Sequence, residues 1–232
     1  MIRHHPDNNM LLEYAAGSLP WALSLAVSAH LQLCPQCRQQ RENLDNIGGA
    51  LLGEGAPQTV GSEAFDQLMG RIDREDKQEI EAGEAPATPE RAQRTVRNTD
   101  PILADLPKVI GKLVSSTGPL KWKRVSSALR TSRLKTGQDH YEVAFQRICR
   151  GGKVAEHDHR GREVTVVLYG SFSDSEGVYR RGDFLLREPG DVHRPIATQD
   201  QECLCLSVVE APVKVTGPLG WLINPFLSFR PA

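Results

Sequence analysis

Two sets of metal-type ligands occur in this chain at spacings that cannot belong to one kind of backbone. In His30-x3-Cys34-x2-Cys37 the first two donors lie one helical turn apart, so both leave the same face of a helix. In His157-x-His159 the donors lie two residues apart, on one face of a strand. A chain holding both needs a helical part near its start and a β part further on. The hydrophobic pattern divides it in the same way.

Leu11, Leu12 and Ala15 give the first segment a helical period, and Gly17 fits its stop. Ser18 is placed to cap a second helix running to about Leu33. The Cys34-Pro35-Gln36-Cys37 corner opens a third, to about Ile47, after which Gly48, Gly49 and Gly53 loosen the chain. Ser62 caps a short fourth helix with Phe65, Leu68, Met69 and Ile72 on one face. Residues 76–100 are rich in charge, Ala and Pro, and read as a linker. From residue 101 the period turns to two, along Tyr141–Ile148, Glu163–Tyr169, Phe184–Leu186 and Cys203–Val209, with Gly170, Gly177, Gly182 and Gly190 between strands. The expected fold is α+β in two domains: a small helical bundle over 1–75 and an all-β jelly-roll barrel over 101–232, closed by an apolar tail with Trp221, Phe226 and Phe229.

Charge narrows the partners. The chain carries 28 basic and 29 acidic residues, a net of −1. Residues 1–73 hold four Arg, no Lys and eight Asp or Glu. A segment of that sign is repelled by a phosphate backbone, so direct nucleic-acid binding is not expected. The longest apolar run near the start, Trp21–Ala29, is broken by Ser24 and Ser28 and is too short to span a bilayer. Five cysteines, an odd number without framework spacing, suit a reducing cytoplasm, where paired thiols bind metal more often than each other.

His30, Cys34 and Cys37 converge within two helical turns, and imidazole with thiolate suits Zn²⁺, which wants four ligands when structural. A fourth must come from elsewhere, and His4 and His5 are the other imidazoles in the first 139 residues. His5, Tyr14-Ala15-Ala16-Gly17, His30-Leu31 and Cys34-x2-Cys37-Arg38 resemble the zinc-binding anti-sigma domain. That resemblance implies a helical bundle around Zn²⁺, with His5, His30, Cys34 and Cys37 as ligands, that sequesters a sigma factor. The His4-His5 doublet leaves the register open, with spacing favouring His5.

In the β part, His157, His159, Glu163 and His193 form a second mixed N/O set. Gly151-x5-His157-x-His159-x3-Glu163-x6-Gly170 resembles the first cupin motif. Gly182-x5-Glu188-Pro189-Gly190-x2-His193 resembles the second, with Glu188 where proline is usual and Ala197 where asparagine is usual. These residues imply a second divalent metal, Zn²⁺ first, with Mn, Fe or Ni also compatible. Both motifs in this order resemble the ChrR-type anti-sigma factors. The resemblance implies a cytoplasmic regulator, not an enzyme, that holds an extracytoplasmic-function (group IV) sigma factor 1:1 and releases it on an oxidative signal, singlet oxygen or organic peroxide. The competing class is a metal-dependent, dioxygenase-like cupin enzyme with an accessory zinc domain. Cys203 and Cys205 share a strand face at a Cα spacing of about 6.6–6.8 Å; they read as buried thiols or as a redox-reactive pair.

Overall fold

The computed structural model describes residues 1–56, 61, 63–83 (side chains to 74), 100–137, 139–217, 220, 224 and 229–231. Most of the expected linker, and Trp221 and Phe226 of the tail, lie outside the described residues. The helices are α1 (Asn8–Ala15), α2 (Trp21–Leu33), α3 (Pro35–Gly53), α4 (Ala64–Gly83), α5 (Pro101–Ala104) and α6 (Lys108–Thr117).

Asp7 starts α1 by accepting the Met10 N–H at 2.7 Å. Gly17, at φ 71°, ends it. Ser18 does not cap α2: its hydroxyl donates back to Glu13 O at 3.3 Å, and Pro20, with its preset φ, precedes the helix. Gly48 and Gly49 do not loosen α3, which continues to Gly53. Each glycine costs a helix about 1 kcal/mol, and the helix-forming Ala50, Leu51 and Leu52 that follow oppose that cost. The fourth helix runs 20 residues, longer than its apolar stripe suggests.

The strands are β1 (Lys123–Arg124), β2 (Leu129–Arg133), β3 (Glu142–Ile148), β4 (His157–Asp158), β5 (Glu163–Tyr169), β6 (Ser171–Ser173), β7 (Val178–Arg180), β8 (Phe184–Arg187), β9 (Val192–His193), β10 (Ile196–Ala197), β11 (Cys203–Val209) and β12 (Lys214–Val215). A six-stranded sheet is ordered β1-β2-β3-β11-β5-β8, with three-stranded sheets β10-β6-β7 and β12-β4-β9. Every pairing among the described residues is antiparallel, as the jelly-roll expectation requires, but the stretch from residue 101 is not all-β: α5 and α6 precede its first strand.

Packing groups Met1–Asn46 with Asn98–Ala232 in one unit and sets Ile47–Arg97 apart as a second. In the first unit, the central strands β5 and β11 of the six-stranded sheet are buried on both faces, whereas β1 at its edge is exposed. Leu204, Leu206 and Val208 of β11 and Val164, Val166 and Leu168 of β5 join a core with Leu11, Leu23, Leu25 and Val27 of the helices. The alternate residues Cys203, Cys205 and Val167 join a second cluster with Phe172, Tyr179 and Leu185. That two-residue alternation sends Glu163 and Ser207 to the side away from the helices. Helix α2 is buried almost all round, which a helix between a sheet and other helices must be. No helix among the described residues is long and apolar enough to cross a membrane.

Candidate metal centres

His30 sits in the last turn of α2, and Cys34 follows as its cap, its N–H donating to His30 O at 2.8 Å. Pro35 opens α3, where a missing N–H costs nothing. Cys37 then lies in the first helical turn, its N–H donating to Cys34 Sγ at 3.5 Å. From the other side, His5 Nδ1 comes to 3.3 Å from Cys37 Sγ and 3.5 Å from Cys34 Sγ. Donor atoms of His5, His30, Cys34 and Cys37 all fall within 4.8 Å of one another. His5, not His4, enters this group; His4 turns to Asp183, with Nδ1 3.5 Å from its carboxylate.

The set fits a tetrahedral ion. Zinc bonds of about 2.3 Å to sulfur and 2.0 Å to nitrogen would set neighbouring S and N about 3.5 Å apart. His30 donates through Nδ1 to Gly182 O at 2.7 Å, and its Nε2 is buried without a hydrogen-bond partner, the state of a ligand nitrogen. Burial lowers the His30 pKa to about 4, keeping the ring neutral. Burial, with Cys34 beside it, pushes the Cys37 thiol up to about 12 in the metal-free protein. A cation there would reverse that cost by stabilising thiolate.

The second centre lies where β4 pairs with β9, with His157 opposite His193. His157 Nδ1 donates to Ala155 O at 2.8 Å, and His193 Nδ1 bonds Asp174 Oδ2 at 3.1 Å. The two Nε2 atoms therefore face each other, at 3.1 Å. His159 Nδ1 lies 3.1 Å from Glu163 Oε2, and its Nε2 is buried without a partner. Each imidazole thus has its Nδ1 satisfied and its Nε2 available, and the three donors lie within 4.8 Å of one another. Glu163 stands beside this group: its carboxylate binds His159, accepts the Ser207 hydroxyl at 2.7 Å and the Thr165 hydroxyl at 3.2 Å. Burial alone would raise its pKa, but the bond and charge of His159, with His157 and Ser207, hold it at about 2. Burial, then the neighbouring His157, lowers His193 to about 4, and burial lowers His157 also. Glu163, His157 and Ser207 line a cavity of about 390 Å³.

Cys203 and Cys205 share the interior face with Sγ atoms 3.6 Å apart. The Cys203 bond and burial raise the Cys205 pKa, which disfavours the oxidant-reactive thiolate. Sequence reasoning missed Asp174 and Arg187. Asp174, with its side chain fully buried, accepts from His193 and, at 2.8 Å, from Arg187. No spacing rule links a residue 19 positions upstream to His193. It also missed Gly182, whose carbonyl orients His30; the cupin motif marks this glycine only as a turn.

The sequence family described as the ChrR cupin-like domain matches residues 111–213. Anti-sigma-E factor ChrR of Cereibacter sphaeroides is 33% identical over 227 residues, covering 97% of this chain and 98% of the relative. A crystal structure of Rhodobacter sphaeroides SigE in complex with the anti-sigma ChrR is similar with a TM-score of 0.69 and 29% identity, covering 90% of this chain and 99% of that one.

Proposed function

The chain belongs to the ChrR family of anti-sigma factors, and on that footing we propose that it sequesters an extracytoplasmic-function sigma factor 1:1 in the cytoplasm. Residues 1–75 hold sigma, residues 76–100 link, and the cupin of residues 101–232 reads an oxidative signal, singlet oxygen or organic peroxide, that frees it. Zn²⁺ sits on His5, His30, Cys34 and Cys37. A second divalent metal, Zn²⁺ first, sits on His157, His159 and His193, with Glu163 adjoining through His159. The dioxygenase-like alternative is not retained, because the likeness to an anti-sigma factor runs the length of the chain.

The observation that carries this reading is an apolar stripe on a chain similar to one solved with SigE. Phe65, Leu68, Met69 and Ile72 lie on one face of α4, and all are exposed, Phe65 by 68%. A face of that kind, at i, i+3, i+4 and i+7, fits a partner's groove. An affinity pull-down from native extract, with metal analysis, tests it. Wild type should bring down a sigma factor and carry zinc, whereas Cys34→Ala/Cys37→Ala should lose one zinc and the sigma factor. A wild type that captures no sigma factor, with the variant's metal content unchanged, sinks the reading.

A further inference from the structure

We propose that the barrel turn Arg180–Phe184 is a working part of the N-terminal metal centre, so that cupin residues set the metal affinity of His5, His30, Cys34 and Cys37. The inference rests on the zinc reading of that cluster. Three consecutive turn residues grip the segments that carry its ligands. Gly182 O accepts the His30 Nδ1 proton at 2.7 Å, which fixes the tautomer that leaves Nε2 for the metal. Asp183 Oδ1 accepts the N–H groups of Arg3, at 2.7 Å, and of His4, at 3.1 Å. Phe184 N–H donates to His4 O at 3.0 Å. The peptide just before His5 is therefore held by the barrel, and so is the ring of His30, which also meets Phe184 edge-on at 5.7 Å.

The turn is built for this contact. Asp183 is buried, and its second oxygen accepts the Arg180 N–H at 2.8 Å, so one carboxylate gathers three backbone donors. Gly182 adopts φ 94°, and a Cβ there would run into the Ile2 side chain. Glycine lets the N-terminal segment approach this closely. The same turn leads to the other centre. The Tyr179 ring packs against His4 at 4.7 Å, and its hydroxyl donates to Asp174 Oδ1 at 3.1 Å. Asp174 Oδ2 in turn bonds His193. The two ligand sets meet through Asp174, Tyr179 and His4, within one packed unit.

The test uses the full chain with Co²⁺ in place of zinc. A thiolate-to-cobalt charge-transfer band reports the cysteine-containing cluster apart from the all-histidine one. Chelator competition read on that band gives the affinity, and the d–d bands report the ligand arrangement. Asp183→Asn keeps the size but offers one acceptor oxygen to three N–H donors. Arg3→Pro deletes the N–H that Asp183 accepts and leaves the barrel sequence unchanged, so it decides the matter if Asp183→Asn fails to fold. Asp45→Asn, an ion-pair change on α3, is the control. Partners of metal-binding imidazoles govern about 10- to 100-fold in metal affinity, and both test variants should weaken cobalt by an amount in that range, with altered d–d bands and unchanged histidine-cluster loading. Folded variants that bind cobalt within about twofold of wild type overturn the proposal. Absence of the charge-transfer band in wild type overturns the zinc reading itself, and this inference with it.

Discussion

In the presence of a chelator, acid should unfold this protein in a window set by the buried imidazoles His30, His193 and His157. Burial first, with the neighbouring His5 adding to it, takes His30 from 6.5 to about 4, against the opposing pull of the Gly182 bond and Asp183. Burial and His157 take His193 to about 4, against Asp174 and Glu163. Each ring is neutral when folded and takes a proton more readily when unfolded. Between about pH 6.5 and 4 the unfolded chain therefore binds more protons, and stability falls as pH falls. At pH 5.5 the His30 and His193 rings each cost about 1 kcal/mol relative to pH 7.5, and at pH 4.5 about 2–3 kcal/mol. Together they remove about 5 kcal/mol by pH 4.5, a large share of an ordinary domain's stability. Glu163 acts in a lower window. Its folded value near 2 contributes stability above about pH 4.5 that is lost below it. Urea unfolding in EDTA, followed by far-UV circular dichroism, should show the loss between pH 7.5 and 5.5, with His193→Gln making it smaller. Equal unfolding free energies at those two pH values would refute the picture of rings held neutral by burial.

Two further changes separate binding from folding. Leu68→Asp with Ile72→Asp places charge on the exposed stripe of α4; it should weaken sigma capture at least about tenfold in a titration while leaving the melting temperature near wild type. Phe145→Ala should do the reverse. Phe145 is fully buried and stacked on Trp122 with centroids 6.4 Å apart. Its loss should cost about 3–5 kcal/mol in urea unfolding while leaving sigma capture near wild type.

What the sequence disclosed was what local periodicity can encode. The donors of His5, His30, Cys34 and Cys37 come together, as do those of His157, His159 and His193, although Cys34 is the extended cap after α2, His159 follows the end of β4, and Glu163 stays outside the second group. The strand limits of β5 and β11 match the alternating runs. Helix limits were less legible. The fate of Ser18 depended on whether its hydroxyl turned forward or back, and Gly48 and Gly49 were outweighed by what followed them. Contacts between distant segments left no local mark. Asp183 reads as one more turn aspartate until Arg3 and His4 lie on it, 180 and 179 residues away in sequence. Asp174 and Glu163 pose the same problem. Both are carboxylates near histidines, and folding alone decides that each serves an imidazole Nδ1.

Those distant contacts bear on the proposed release of sigma. Moving a population from 1:99 to 99:1 takes about 5.5 kcal/mol of differential free energy, and a structural zinc site commands about 10–16 kcal/mol in apparent binding. The N-terminal cluster therefore has energy to spare, provided something in the barrel can reach it. A barrel joined to the helices by a linker alone could not. Here Leu11, Leu23 and Val27 share a core with Val164, Leu204 and Leu206, and His30 Nδ1–H donates a hydrogen bond to a barrel carbonyl. Helix α3 begins at that same cluster with Cys37 and ends with the exposed Ile47, Leu51 and Leu52. His193, Asp174, Tyr179 and His4 follow one another in contact, and His4 precedes His5, whose Nδ1 lies 3.3 Å from Cys37 Sγ in the first turn of α3.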